Sequence, residues 1–153
     1  MAQINSREIV LLQPTTATAS GNGVDINIPM GYLGAMIALN VTAASGTSPT
    51  LNVFVQNKFT LAAVTDLNGQ FPLGTGTYDD LAAFAQMTTT GTRVFRILQG
   101  FGSTENALTQ AALTAASART GPIGDLWRVA YNIGGTSPSF TFSVTAKLIP
   151  GGQ

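Results

Sequence analysis

One pattern occurs twice in the chain, and it constrains the fold more than any other feature. Gly46-Thr47-Ser48-Pro49-Thr50-Leu51-Asn52-Val53-Phe54-Val55-Gln56-Asn57-Lys58 and Gly135-Thr136-Ser137-Pro138-Ser139-Phe140-Thr141-Phe142-Ser143-Val144-Thr145-Ala146-Lys147 both fit G-T-S-P-x-[LF]-x-[VF]-x-V-x-x-K. Each copy follows an apolar segment that ends in Asn and a β-branched residue, Asn40-Val41 and Asn132-Ile133. Within the copies a period of two places Leu51, Val53 and Val55 on one strand face, and Phe140, Phe142, Val144 and Ala146 on one face of another. Pro in the Gly/Thr/Ser/Pro stretch suits a turn, where its missing N–H costs no ladder bond. The expectation is two similar β-hairpins, residues 33–42 with 50–58 and residues 126–133 with 140–147. Two convergent hairpins and an internal duplication both fit; two copies are too few for a solenoid.

The rest of the chain reads as short strands between turns. Residues 8–12 (EIVLL) form a candidate first strand stopped before Pro14, Val24 to Ile28 alternates strictly, and residues 93–98 read as another strand. Residues 78–86 fit either a short helix or a strand. Residues 105–118 are Ala-rich with helical spacing, but their Ser and Thr content leaves a long loop equally open. The fold class expected is all-β: an antiparallel β-sandwich or jelly roll with long loops and at most one or two short helices. Residues 1–12 are expected to be an N-terminal arm and first strand, and residues 13–153 a single sandwich domain.

Composition limits function. Only 9% of the 153 residues are charged, against about 25% in a typical soluble domain. Thr, Ser, Gly, Asn and Gln stand where charge would normally be, as expected of a surface occupied by other protein. Seven basic and seven acidic residues cancel and do not cluster, which argues against nucleic-acid binding. No apolar run reaches the roughly 20 residues of a membrane-spanning helix, and the N-terminus lacks the order of a signal peptide. With no Cys and no His there are no disulfides, thiolates or imidazole chemistry.

Candidate chemistry is sparse. Asp79-Asp80 is an adjacent carboxylate pair without further acids at catalytic or calcium-binding offsets, so a solvated loop edge or strand-end pair is expected. Trp127 shares a face with Val129 and Tyr131 and is expected in the core, while Arg128 on the opposite face awaits an acid or a partner subunit. No catalytic, metal or cofactor site is expected.

Residues 40–53 (NVTAASGTSPTLNV), residues 85–92 (AQMTTTGT) and residues 126–129 (LWRV) followed by residues 134–144 (GGTSPSFTFSV) resemble small β-sandwich proteins of tailed-phage structural gene clusters. The resemblance covers most of the chain from about Gly31 onward; residues 69–77 and the N-terminal third do not share it. It implies a virion protein rather than an enzyme: a head-decoration or cement protein on the capsid surface, made in the host cytoplasm. Implied partners are the major capsid protein and further copies of the chain, with a trimer favoured, and neither nucleic acid nor membrane. Segments 3–12 and 99–121 are the expected contact regions, with Gln3, Ile4, Asn5, Arg7, Glu8, Phe101, Glu105, Leu108 and Arg119 as candidate interface residues. The alternatives are a tail, neck or fibre-associated sandwich with a connector or glycan-binding role.

Overall fold

The computed structural model describes residues 6–29, 31–58, 78–98, 113–118 and 126–150. Among these the protein is all-β, an antiparallel sandwich of eight strands: β1 (Arg7–Ala17), β2 (Gly21–Asn22), β3 (Ile26–Asn27), β4 (Tyr32–Lys58), β5 (Asp79–Ala83), β6 (Gly91–Leu98), β7 (Ser117–Ala118) and β8 (Leu126–Pro150).

β4 and β8 dominate. They run 27 and 25 residues and pair with each other antiparallel from Tyr32↔Pro150 to Lys58↔Leu126. The two expected hairpins do not exist. Each G-T-S-P copy lies inside a long strand, and the copies face each other, with Thr47 opposite Thr136. The register shifts on either side of that pair, so Ser48-Pro49 stand against Gly135 and Ser137-Pro138 against Gly46. Each strand thus carries one extra residue, a matched pair of β-bulges that bend the ribbon. Both glycines and both serines have left-handed backbones: φ is 112° at Gly46, 111° at Gly135, 50° at Ser48 and 49° at Ser137. A turn and a paired bulge demand the same residues, so the motif was legible and its use was not.

The bend divides the long strands between two layers. In the first layer β1 pairs with the C-terminal half of β8, which pairs with the N-terminal half of β4, which pairs with β6. In the second, β2 and β3 flank the N-terminal half of β8, and β5, followed by β7, flanks the C-terminal half of β4. The arrangement has an internal two-fold centred on the facing motifs. It exchanges β1 with β5, and β6 with β2 and β3. The edge strands of each half pair with the long strand of the other half, so the halves are intertwined.

The core lies between the layers. Leu51, Val53, Val55, Trp127 and Val129 from the second layer join Ile37, Leu39, Val41, Phe140, Phe142 and Val144 from the first in one buried cluster. Cross-layer ring contacts seal it: Tyr131 meets Phe142 edge-on at 5.2 Å, and Phe84 meets Phe95 at 5.1 Å. The sequence-derived core faces are correct, including Trp127 at 0% exposure.

Two further expectations need correction. β1 continues through Pro14 to Ala17 because it is an edge strand, where a missing N–H faces away from the ladder; a register shift absorbs the proline between Leu12 and Thr15. Of the two readings open for residues 78–86, residues 79–83 take the strand, since their backbone completes the ladder on β4. Only Ile26–Asn27 of the alternating 24–28 stretch pairs in a sheet, and Val24 is 73% exposed. Residues 113–118 form a turn and β7; residues 105–112 of the proposed helix or loop lie outside the described residues.

Candidate functional site

Charge is distributed unevenly over the sandwich. At the bend, four segments converge. The facing motifs are joined by residues 18–20, which cross from the β1 register to the β2 register on β8, and by residues 88–90, which do the same beside β4. Residues 18–22, 42–52, 86–92 and 132–140 contain no Asp, Glu, Lys or Arg. Thr18, Ala19, Ser20, Ser45 to Ser48, Thr88 to Thr90 and Gly135 to Ser137 are all exposed. The Ser20 hydroxyl accepts a hydrogen bond from the Ile133 N–H at 2.9 Å, and a Thr16–Thr141 hydroxyl pair spans β1 and β8 at 2.8 Å. These contacts fix the segments without introducing charge. Beside residues 86–93 lies an open hollow of about 290 Å³ walled by Thr88, Thr89, Thr90, Thr92 and, at its edge, Arg93. It is polar and wide, unlike the enclosed apolar cavities that hold small ligands.

Arg93, exposed next to Thr92, lines that hollow at its far side; the other described charges lie farther from the facing motifs. Arg7 and Glu8 stand opposite Leu148 and Lys147, Arg96 opposite Met36, and Lys58 opposite Leu126. On the outer face of the second layer they form a connected network. The Arg128 guanidinium stacks 3.3 Å above the Tyr78 ring, and its Nε donates to Gln56 Oε1 at 2.9 Å. Gln56 Nε2 donates to Asp80 Oδ1 at 2.8 Å, and the Leu113 N–H donates to Asp80 Oδ2 at 3.1 Å. The Tyr78 hydroxyl donates to the Asp25 carboxylate, 2.6 and 2.7 Å from its two oxygens. That bond, then burial and the Asp25 charge, raise the Tyr78 pKa against the opposing pull of Arg128.

This network links β3's approach, β4, β5, β8 and the residue-113 segment through side chains whose donors and acceptors are used on one another. It works as a clamp. Asp80 stands near the start of β5 but is only 8% exposed, so the expected solvation is wrong at this residue: the Gln56 amide and a backbone N–H replace water around the carboxylate. Arg128 finds two partners within the chain, an amide and a ring.

Of the candidate interface residues, Arg7 and Glu8 are exposed on β1, on opposite faces and at the charged end. Gln3, Ile4, Asn5, Phe101, Glu105, Leu108 and Arg119 lie outside the described residues. The structure instead brings together Thr18 to Ser20, Thr88 to Thr90 and both G-T-S-P motifs. Their shared signal was the repeat flanked by long stretches without charge. Comparison with protein-family models, with curated proteins and with solved structures gave no match.

Proposed function

We propose that the protein is a virion structural component that decorates a tailed-phage head, seating its charge-free end on the capsid shell. The observation that carries this reading is the exposed Thr/Ser/Gly surface around Thr47 and Thr136, assembled from four segments that contain no Asp, Glu, Lys or Arg. Interface centres are depleted of charge because a buried ion loses hydration that a partner rarely restores in full. Threonine and serine hydroxyls bind neutral backbone and amide groups at much lower desolvation cost. The bulged ribbon gives that surface rigidity, so little conformational entropy is lost on docking. The resemblance to phage β-sandwich proteins supports the same role.

The test is co-purification. Heads banded from a lysate that contains the protein should carry the chain in a fixed ratio to the major coat protein, as measured by mass spectrometry. A chain that stays at the top of the gradient while heads band below would refute the proposal.

A further inference from the structure

The outer face of the first layer differs from its two-fold counterpart in a way that points to a partner. In the second layer this face carries the Arg128–Gln56–Asp80 network and is flanked by β7. In the first layer the rows away from the bend carry no such network among the described residues. One row runs Val10–Thr145–Ala38–Val94 across β1, β8, β4 and β6, and the next runs Glu8–Lys147–Met36–Arg96. Val10, Met36 and Val94 are 39%, 38% and 56% exposed. These are most of the exposed large hydrophobic residues of the described chain, gathered on one flat face. Glu8 marks one margin of that face and Arg96 the other.

We infer that this face is a two-fold interface with a second copy of the chain. The charge layout selects both the occupant and the axis. A dyad lying in the interface along the strand direction, between β4 and β8, lays β1 of one copy over β6 of the other without changing rows. Glu8 then meets the partner copy's Arg96 at both margins, Val10 meets Val94, Thr145 meets Ala38, and Lys147, beside Glu8 on its own chain, lays its stem along Met36. A dyad across the strands would instead set β1 on β1 and β6 on β6, bringing the Glu8 margins together and the Arg96 margins together, which like-charge repulsion disfavours. Aligned face-to-face packing is an ordinary way for two sheets to meet, and an isologous contact closes at two copies. Four strands about 4.8 Å apart and roughly eight residues long give about 500 Å² a side, at the low end of specific interfaces, so dimerisation is concentration-dependent. Edge-to-edge ring growth is disfavoured on the β1 side, where Pro14 and two register shifts interrupt the strand.

This inference does not depend on the capsid reading, and its test involves no capsid. Sedimentation equilibrium of the full chain over a concentration series should show monomer and dimer. Val94→Asp should raise the dissociation constant at least roughly tenfold. E8R and R96E should each weaken self-association to a similar degree, because each homodimer then sets like charges together twice. An equimolar mixture of E8R and R96E should recover wild-type affinity, since each margin regains an opposite pair. All three positions are exposed, and circular dichroism with thermal melting confirms folding; Val10→Lys repeats the apolar test if Val94→Asp fails to fold. A trimer, a monomer at every concentration, a dimer indifferent to both apolar substitutions, or a mixture without recovery would each overturn the inference.

Discussion

Gly46 and Gly135 are the residues on which the bend depends. A β-carbon at Gly46 would lie 2.7 Å from the Ser137 carbonyl oxygen, and one at Gly135 would lie 2.7 Å from that of Ser48. Both contacts are to backbone, which cannot swing aside, and both glycines have positive φ. Gly46→Ala and Gly135→Ala should each cost about 1–3 kcal/mol from backbone strain alone, with the clash adding to it. Urea unfolding should therefore show a lower midpoint at constant m. Ser48→Gly, which relieves a left-handed serine, should leave stability equal or higher. Tyr78 offers a test by pH. Its pKa is raised by the bond to Asp25, so the stability it contributes is complete below the ordinary phenol range and is lost as pH rises through the folded value. Melting temperature should fall in that alkaline window, and Tyr78→Phe should remove this fall while lowering stability near neutrality. Tyrosinate absorbance that develops in wild type and Tyr78→Phe identically, apart from amplitude, would contradict this. None of the network was legible in the sequence, because Asp25, Tyr78 and Arg128 meet only once β3, β5 and β8 are in register.

At the scale of the element, inward faces could be read but continuity could not. Alternation identified Leu51, Val53, Val55, Phe140, Phe142 and Val144 as inward-facing, and all are buried. The hairpins were wrong because Gly-Thr-Ser-Pro satisfies a turn and a bulge equally well: both need positive φ and a proline outside the ladder. Only the partner strand decides, and it lies at the far end of the chain. Pro14 misled for a related reason, since a proline ends a central strand but not an edge strand. The bulges also set which face points inward. Deleting Ser48 should shift the remainder of β4 by one residue and turn Leu51, Val53 and Val55 out of the core. No folded protein is expected from that deletion, as judged by loss of dispersed amide resonances. Retention of a native spectrum would show that the bulge is dispensable.

At the scale of the whole molecule, the two halves depend on each other because each long strand is flanked by the other half's edge strands. A chain divided between β4 and β5 into residues 1–77 and 78–153 should yield two fragments unfolded in isolation. Co-expressed, they should assemble into a one-to-one complex with the circular dichroism spectrum of the intact protein. A fragment that folds alone would contradict the intertwining. The same topology brings the charge-free segments 18–22, 42–52, 86–92 and 132–140 together at one end, a convergence invisible in a low overall charge. The proposed role concerns that end, and head occupancy tests it most directly. Purified heads should carry the wild-type chain in a fixed ratio to the coat protein. A variant with Thr47→Asp and Thr136→Asp, melting at the wild-type temperature, should be missing from them. Equal occupancy by the two, or no wild-type chain on the heads, would contradict the account.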